Sequence, residues 1–477
     1  MSDSPLEYDF AVIGGGSAGY AAARTAASFG LKTVVIDGSE TLGGLCILRG
    51  CMPSKTLIES ANRNLSLRRA AEFGLRAHNL EVHPTEIRDR KRKLIGEFAD
   101  YRKEQLSDGP FDLLRGNGAF RDPHLIEVTP REPTDSTRLV RAKSTLVATG
   151  SVIQHLDLPG ANDTGYLTSD EVLDGNRLPA SIIVLGGGAI ALEMAHYFEG
   201  LGSIVTVIQR SPHVLKELDD DVTSAVESAL RHREITLHCD TSLEKITTEE
   251  GQKAVHFQHH GNPVVARADE ILMALGRKPA TAGLQLDQAG VSTENGRVLT
   301  DPTQTTNIPH IFAAGDACGP HEIVHIAIEQ GEIAATNAAV ALGRLDASQK
   351  RHIDYRLKIL GIFTEPQVAA VGLSEREAAH DNIPVKAASY PFDDHGKSIV
   401  RGETEGFVKL IAHAETQEIL GASVVGPEAV ELIHEIVVAM HFHATTNDLA
   451  SIPHYHPTLS EIWTYPAEEI STSEPSA

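Results

Sequence analysis

Residues 9–14 (DFAVIG) carry an unbroken apolar run from Phe10 to Ile13, the pattern of a parallel strand buried on both faces. The run opens into the turn Gly14-Gly15-Gly16-Ser17-Ala18-Gly19 and an alanine-rich helix over 20–29. A second apolar strand, 33–36, ends at Asp37. The same order returns further along the chain: strand 182–185, turn Gly186-Gly187-Gly188-Ala189-Ile190-Ala191, a helix carrying Glu193, and strand 205–208 ending at Gln209. In both copies the strand-end residue stands 23 positions after the first glycine (14 to 37, 186 to 209). Between the copies lies a charged amphipathic helix over 85–106, followed by short strands that lead to Val147-Ala148-Thr149-Gly150. Beyond the second copy come Gly276-Arg277-Lys278-Pro279, Ile311-Phe312-Ala313-Ala314-Gly315-Asp316 and a helix over 325–342. From 353 to 465, strand-like runs (408–411, 419–425) alternate with a helix whose Leu432, Ile433, Ile436, Val437 and Met440 share one face. The pattern predicts an α/β protein with two Rossmann-like dinucleotide-binding modules, a C-terminal α+β unit and a polar, frayed tail.

Composition narrows the function. A chain of 477 residues has room for about two to four domains. Its 42 Lys and Arg against 65 Asp and Glu give a net charge of −23, which repels phosphate backbones and anionic bilayers, so neither nucleic acid nor membrane is an expected partner. No apolar run approaches the roughly 18 residues of a membrane span. The start, MSDSPLEYDF, lacks the basic and apolar regions of a secretory signal, and four cysteines are too few for a disulfide scaffold. A cytoplasmic protein is expected.

The two turns carry the first chemistry. Gly14, Gly16 and Gly19, and in the second copy Gly186 and Gly188, let backbone amides and a helix N-terminus approach a pyrophosphate. One such turn alone can arise for steric reasons; two in matched contexts point to dinucleotides at both. Asp37 can accept hydrogen bonds from an adenosine ribose. Gln209 holds the matching place in the second copy, with Arg210, His213 and Lys216 behind it. A neutral amide backed by cations does not repel a ribose 2′-phosphate as a carboxylate would, so NADP is favoured slightly over NAD.

The second chemistry lies in Gly43-Gly44-Leu45-Cys46-Ile47-Leu48-Arg49-Gly50-Cys51-Met52-Pro53-Ser54-Lys55. Structural thiols or a zinc site are the alternatives. Zinc favours closer cysteine pairs and needs about four ligands, and neither Cys239 nor Cys318 brings a second cysteine with it. A redox-active disulfide fits better, because thiols near a helix N-terminus are acidified and a thiolate is the attacking species in exchange.

At these residues the chain resembles the flavin-dependent pyridine nucleotide-disulfide oxidoreductases, the family of lipoamide dehydrogenase, glutathione reductase and mercuric reductase. The family pattern GGTCxxxGCxPSK is matched closely. Ala148-Thr149-Gly150, Gly276-Arg277 with Pro279, Ala314-Gly315-Asp316 and His456-Pro457-Thr458-Leu459-Ser460-Glu461 follow in the family's order, so the resemblance spans essentially the whole chain. It implies FAD in the first module and NAD or NADP in the second, with Gly276 and Arg210 among the residues at the nicotinamide nucleotide. It implies Cys51 as the flavin-facing sulfur, Cys46 as the exchanging one, Lys55 beside the flavin and Glu193 as the partner of such a lysine. Asp316 would bind the ribityl chain, while Gly118, Thr149 and Gly150 would line the FAD site. His456, oriented by Glu461, would exchange protons with the substrate thiol. In the family that histidine comes from the partner subunit, which implies a homodimer. The implied domains are 1–150 with 280–350 for FAD, 151–279 for NAD(P), 351–467 for dimerisation, and a flexible tail over 468–477.

Some positions depart from the family. Leu45 replaces a threonine, Leu48 an asparagine and Arg49 a valine; Arg49 either acidifies the thiols, holds an anionic substrate, or points to solvent. Ala191 and Gln209 stand where NAD-using lipoamide dehydrogenases have a glycine and an acid. The form His-Pro-Thr-Leu-Ser-Glu is common in lipoamide dehydrogenases. The expected substrate is therefore a small or carrier-bound dithiol or disulfide such as dihydrolipoamide. An NADPH-driven reductase of another disulfide or of a metal ion is the nearest alternative, and a redox-silent flavoprotein subunit the more distant one.

Overall fold

The computed structural model describes residues 4–132 and 136–473. They form two compact units. The first comprises Met1–Thr56, Arg88–Gln154 and Arg277–Asp354; the second comprises Leu57–Ile87, His155–Gly276 and Tyr355–Ala477.

In the first unit, parallel strands Asp112–Asp122, Thr33–Asp37, Leu6–Ile13, Arg138–Val147 and Ile311–Ala313 lie side by side in that order. Strand Leu125–Pro130 pairs antiparallel with the end of the first of these and the start of the fourth. The unbroken apolar run has a direct cause. Ala11 and Ile13 pack with Val34 and Ile36 on one face, while Phe10, Val12 and Val35 pack on the other with Ala22, Ala26, Ala334 and Ala338. Those alanines come from helices Ser17–Ser28 and Val324–Ala341. With both faces covered, no polar alternation survives in the sequence.

In the second unit, parallel strands Glu270–Met273, Ser181–Leu185, Ile204–Ile208 and Thr236–His238 repeat the arrangement. Strands Thr241–Glu249, Gln252–His259 and Asn262–Ala268 form an antiparallel sheet of their own. A five-stranded antiparallel sheet runs Ile359–Ile362, Gln367–Gly372, Ile419–Gly426, Phe407–His413, Val385–Pro391. Helix Ala429–His441 buries Leu432, Ile433, Ile436 and Met440, with Val437 at the rim. Trp463 is fully buried beside them and donates its Nε1–H to Leu432 O at 3.2 Å.

The units do not follow the sequence boundaries throughout. Leu57, Ile58 and Ala61 share one core with Val184, Leu192 and Phe198, and with Ile362, Val368 and Val425. Residues 57–87 therefore leave the segment 1–150, and the break expected at 351 falls between Asp354 and Tyr355. The tail expected from 468 is helical as far as Thr472, because Pro466, Ala467 and Ile470 are buried; its residues 474–477 lie outside the described residues. No helix among the described residues is long and apolar enough to cross a membrane.

One ion cluster ties strand Phe407–His413 to its neighbours. Lys409, only 2% exposed, places Nζ 2.8 Å from Asp219 Oδ2, 2.8 Å from Asp221 Oδ1 and 2.9 Å from Glu375 Oε2. Burial pulls the ammonium down, but the three carboxylates hold it above its ordinary value. Burial likewise pushes Asp219 up, yet the bonds from Lys409 and from the Glu375 and Arg376 amides leave it below the usual carboxylate range. A depressed carboxylate contributes stability above its unfolded value near 4, and loses it as pH falls through the folded value. Lys409→Met should therefore destabilise the protein by about 3 kcal/mol near neutral pH, the cost of stranding a buried charge. Denaturant unfolding should show the variant and the wild type converging in strong acid.

Candidate active site

The chain leaves strand Leu6–Ile13 through Gly14, whose φ of +105° and distance to Ala148 exclude a side chain; a Cβ there would lie 2.4 Å from the Ala148 carbonyl oxygen. Helix Ser17–Ser28 then begins at Gly16 with no side-chain cap, so its first amides face outward. The cysteine segment is pressed onto this turn. Gly44, at φ +73°, comes so close that a Cβ on it would lie 2.6 Å from Gly16 Cα. Cys46 follows two residues later in the short helix Gly44–Leu48, and Cys51 opens helix Cys51–Arg68.

Both cysteines are half-buried thiols. Cys46 is pushed far above the ordinary thiol value, first by its hydrogen bond to Cys51 and then by burial and the charge on Cys51, with Lys55 pulling the other way. The pair therefore loses its protons one at a time, as a unit. Lys55 stands one helical turn after Cys51, on the same face. The isolated thiols differ: burial pushes Cys239 and Cys318 up to about 12, as inert packing residues.

The remaining first-unit residues surround the turn. Asp37 Oδ2 accepts the Gly15 amide at 2.7 Å, and Oδ1 accepts that of Ser39 at 2.9 Å. Thr149 Oγ1 is buried with no hydrogen-bond partner among the described residues, and the space around Gly150 is open. Ser151 Oγ donates to Asp316 Oδ2 at 2.6 Å and accepts from Arg277 Nε at 2.8 Å. Gly118 lies in the apolar interior of the sheet, with Ile13, Ile36 and Ile126 methyls each 3.3 Å from where a Cβ would stand. The uncapped helix end, the side-chain-free turn and the orphaned Thr149 hydroxyl fit a dinucleotide.

The second turn has the same build. Gly186 has φ +120°, helix Ala189–Gly200 starts uncapped at Gly188, and nothing lies within 4 Å of a Cβ on Gly188. Gln209 lies over Gly187, 3.0 Å from its Cβ position, as Asp37 lies over Gly15 at 2.9 Å. Its Oε1 accepts the Arg210 amide at 3.1 Å, and Arg210 itself is exposed. His213 is turned toward the buried Glu227, 3.2 Å away. Gly276 has φ +104° and open surroundings. Glu193, buried, accepts the Phe363 amide at 3.2 Å.

His456 Nδ1 lies 3.0 Å from Glu461 Oε2, with the imidazole 79% exposed and the carboxylate 12% exposed. Two residues here have no counterpart in the motifs. His395 faces the other oxygen of Glu461. Arg102, from helix Pro84–Ser107, lays its guanidinium over the Tyr20 ring at 4.3 Å and interacts electrostatically with Cys46. Its Nε and Nη1 are buried without a hydrogen-bond partner among the described residues. An arginine on a helix this charged reads in sequence as one more solvated cation. Arg49, the cation singled out there, is exposed.

Comparison with known proteins agrees with this geometry. Residues 8–331 match the family described as pyridine nucleotide-disulphide oxidoreductase, and residues 360–467 match its dimerisation domain, which supports a homodimer. A dihydrolipoyl dehydrogenase of Chlamydia trachomatis serovar D is 35% identical over 461 residues, covering 96% of this chain and 95% of the relative. A mercuric reductase of Staphylococcus aureus is 32% identical, covering 93% and 79% respectively. The crystal structure of LpdA from Mycobacterium tuberculosis superposes with a TM-score of 0.85 at 29% identity, covering 97% of this chain and 99% of that one. The chain therefore belongs to the pyridine nucleotide-disulphide oxidoreductases and is a flavin-dependent disulfide oxidoreductase that works with FAD and NAD(P).

Proposed function

We propose that this enzyme oxidises a small or carrier-bound dithiol such as dihydrolipoamide, with Cys46 and Cys51 as the exchanging pair and NADP slightly favoured over NAD. The observation that carries the reading is the coupled thiol pair seated against an uncapped helix N-terminus. Gly14, Gly16, Gly19, Asp37, Thr149, Gly150 and Asp316 would hold FAD, with Lys55 toward the flavin. Gly186, Gly188, Gln209, Arg210 and Gly276 would hold the nicotinamide nucleotide. The location proposed is the cytoplasm.

The roles follow from the residues. Glu461 holds Nδ1–H of His456, which leaves Nε2 as the proton acceptor. His456 takes the proton from a substrate thiol, and the thiolate attacks Cys46 Sγ of the Cys46–Cys51 disulfide. The S–S bond breaks, and its electron pair leaves on Cys51, the sulfur that the attack on Cys46 displaces. The second substrate thiolate displaces Cys46, so the substrate ends as a disulfide, having lost two electrons and two protons. Bound FAD supplies the two-electron relay from the reduced pair to the nicotinamide. The exposure of His456 on the single chain suits a residue that serves the second subunit of a homodimer.

A second reading, an NADPH-dependent reductase of another disulfide, glutathione-like, or of a metal ion, is favoured by two observations. Gln209 carries no charge, and Arg102 places a cation beside Cys46.

The deciding experiment is oxidation of dihydrolipoamide with NAD⁺ and NADP⁺ in parallel. Turnover is expected with both, NADP⁺ being the better; silence with a flavin that NADPH still reduces would move the assignment to the second reading. Cys46→Ser should retain FAD and lose at least about 1,000-fold in dithiol turnover, the scale of an essential nucleophile. Gln209→Glu should lower kcat/KM for NADP⁺ by about tenfold, roughly 1.4 kcal/mol of repulsion at the 2′-phosphate, with NAD⁺ little changed.

A further inference from the structure

Glu461 has a second imidazole behind it. His395 is fully buried, and its Nε2 faces Glu461 Oε1 at 3.5 Å, while Glu461 Oε2 is the oxygen 3.0 Å from His456 Nδ1. No hydrogen bond satisfies that nitrogen among the described residues, and the Glu461 oxygen is the polar atom it faces. The other ring nitrogen, Nδ1, lies 2.9 Å from Ser398 Oγ. The ring is wedged edge-on between Phe392 and Tyr465, each at 6.4 Å between centroids, and Tyr465 is itself stacked on Tyr390. His395 also supplies the backbone cap at the start of helix Gly396–Arg401, so neither its position nor its ring plane is free to drift.

We propose that His395 is a positioning residue for the acid–base dyad, its Nε2–H fixing the Glu461 carboxylate so that Oε2 stays on His456 Nδ1. The inference rests on the proposed role of His456. Burial holds His395 below the ordinary histidine value, against the pull of Glu461, so the ring is neutral at working pH and carries one proton. The proposal places that proton on Nε2, aimed at Glu461, and assigns the Ser398 hydroxyl as the donor to Nδ1. A carboxylate with a donor on each oxygen has one stable rotamer. A carboxylate held on one side only can swing, and His456 then loses the bond that keeps its proton on Nδ1 and Nε2 open to substrate. The dyad thus becomes the outer part of a three-residue line, His456–Glu461–His395, anchored in the core of the second unit.

The test compares His395→Leu, which keeps the bulk and removes the donor, with His395→Asn, which keeps a donor on the same side. Each variant is prepared as the full-length FAD-bound protein. Three quantities are read: the His456 tautomer by ¹⁵N-histidine NMR, kcat and KM for dihydrolipoamide oxidation, and reduction of an artificial one-electron acceptor by NAD(P)H, which needs no thiol proton transfer. In His395→Leu, His456 should move from the Nδ1–H form toward a mixture of tautomers, and kcat should fall about tenfold with KM unchanged. Acceptor reduction should hold, and His395→Asn should behave as wild type in all three. An unaltered tautomer in His395→Leu would overturn the proposal. So would equal loss in both variants, or a fall in acceptor reduction parallel to the loss of dithiol turnover, since each marks a structural role. If the wild type oxidises no dihydrolipoamide, the proposed substrate fails, and the tautomer still decides the role of His395.

Discussion

The contact between Gly44 and Gly16 is the constraint on which the first unit's chemistry depends. Two backbones meet there with no side chain between them; the Cβ of any other residue at 44 would lie within 2.6 Å of Gly16 Cα. The thiol segment is thereby laid across the end of helix Ser17–Ser28, where the uncapped amides concentrate positive potential. One approach thus serves two needs: it leaves the turn bare for a pyrophosphate and brings Cys46 to the same place two residues later. A side chain at residue 44 would collide with the Gly16 backbone and push the thiol segment off the turn, whereas a Cβ at residue 16 would lie 3.8 Å from Gly44 Cα, an ordinary contact.

Electrostatics then divides the sulfurs. The hydrogen bond and shared field between Cys46 and Cys51 oppose two adjacent thiolates and hold the Cys46 thiol above its ordinary value. Lys55, one turn on, and Arg102, stacked on Tyr20, supply positive charge from two different helices. Cys239 and Cys318 show the opposite condition, in which burial outweighs the pull of Arg231 and Arg297 and raises the thiol out of the reactive range.

Sequence reading reached the parts of this arrangement that local rules specify. The doubled strand–turn–helix was visible because strands covered on both faces are written as continuous apolar runs, and because glycine at 14 and 44 answers a backbone requirement that no other residue meets. The cysteine segment was visible because its residues are contiguous. Arg102 was not, since it arrives from a helix whose surface is charged throughout and only the packing of that helix turns one guanidinium inward. His395 was equally hidden: it belongs to no motif, and its relation to Glu461 spans 66 residues (395 to 461) of intervening sheet and helix. Residues 57–87 and 468–472 were misplaced for a simpler reason. Their few apolar side chains, such as Leu57, Ile58 and Ile470, decide where they pack, and a polar average conceals them.

The two turns show how one backbone solution is given two chemical identities. In both, the strand-end side chain folds over the middle glycine at nearly the same distance, 2.9 Å for Asp37 and 3.0 Å for Gln209. The geometry is conserved between the copies while the charge is not. Asp37 is held by the Gly15 and Ser39 amides, so its oxygens are already partly committed to the turn and its charge is fixed in place. Gln209 uses its carbonyl on the Arg210 amide and leaves no formal charge at the position where an adenosine ribose would rest. His213, which stands in the sequence as a cation behind Gln209, is turned toward Glu227, while Arg210 is exposed. The second turn thus differs from the first in charge and not in placement, and under the NADP reading proposed above it would favour a ribose 2′-phosphate chiefly by lacking a carboxylate that would repel it.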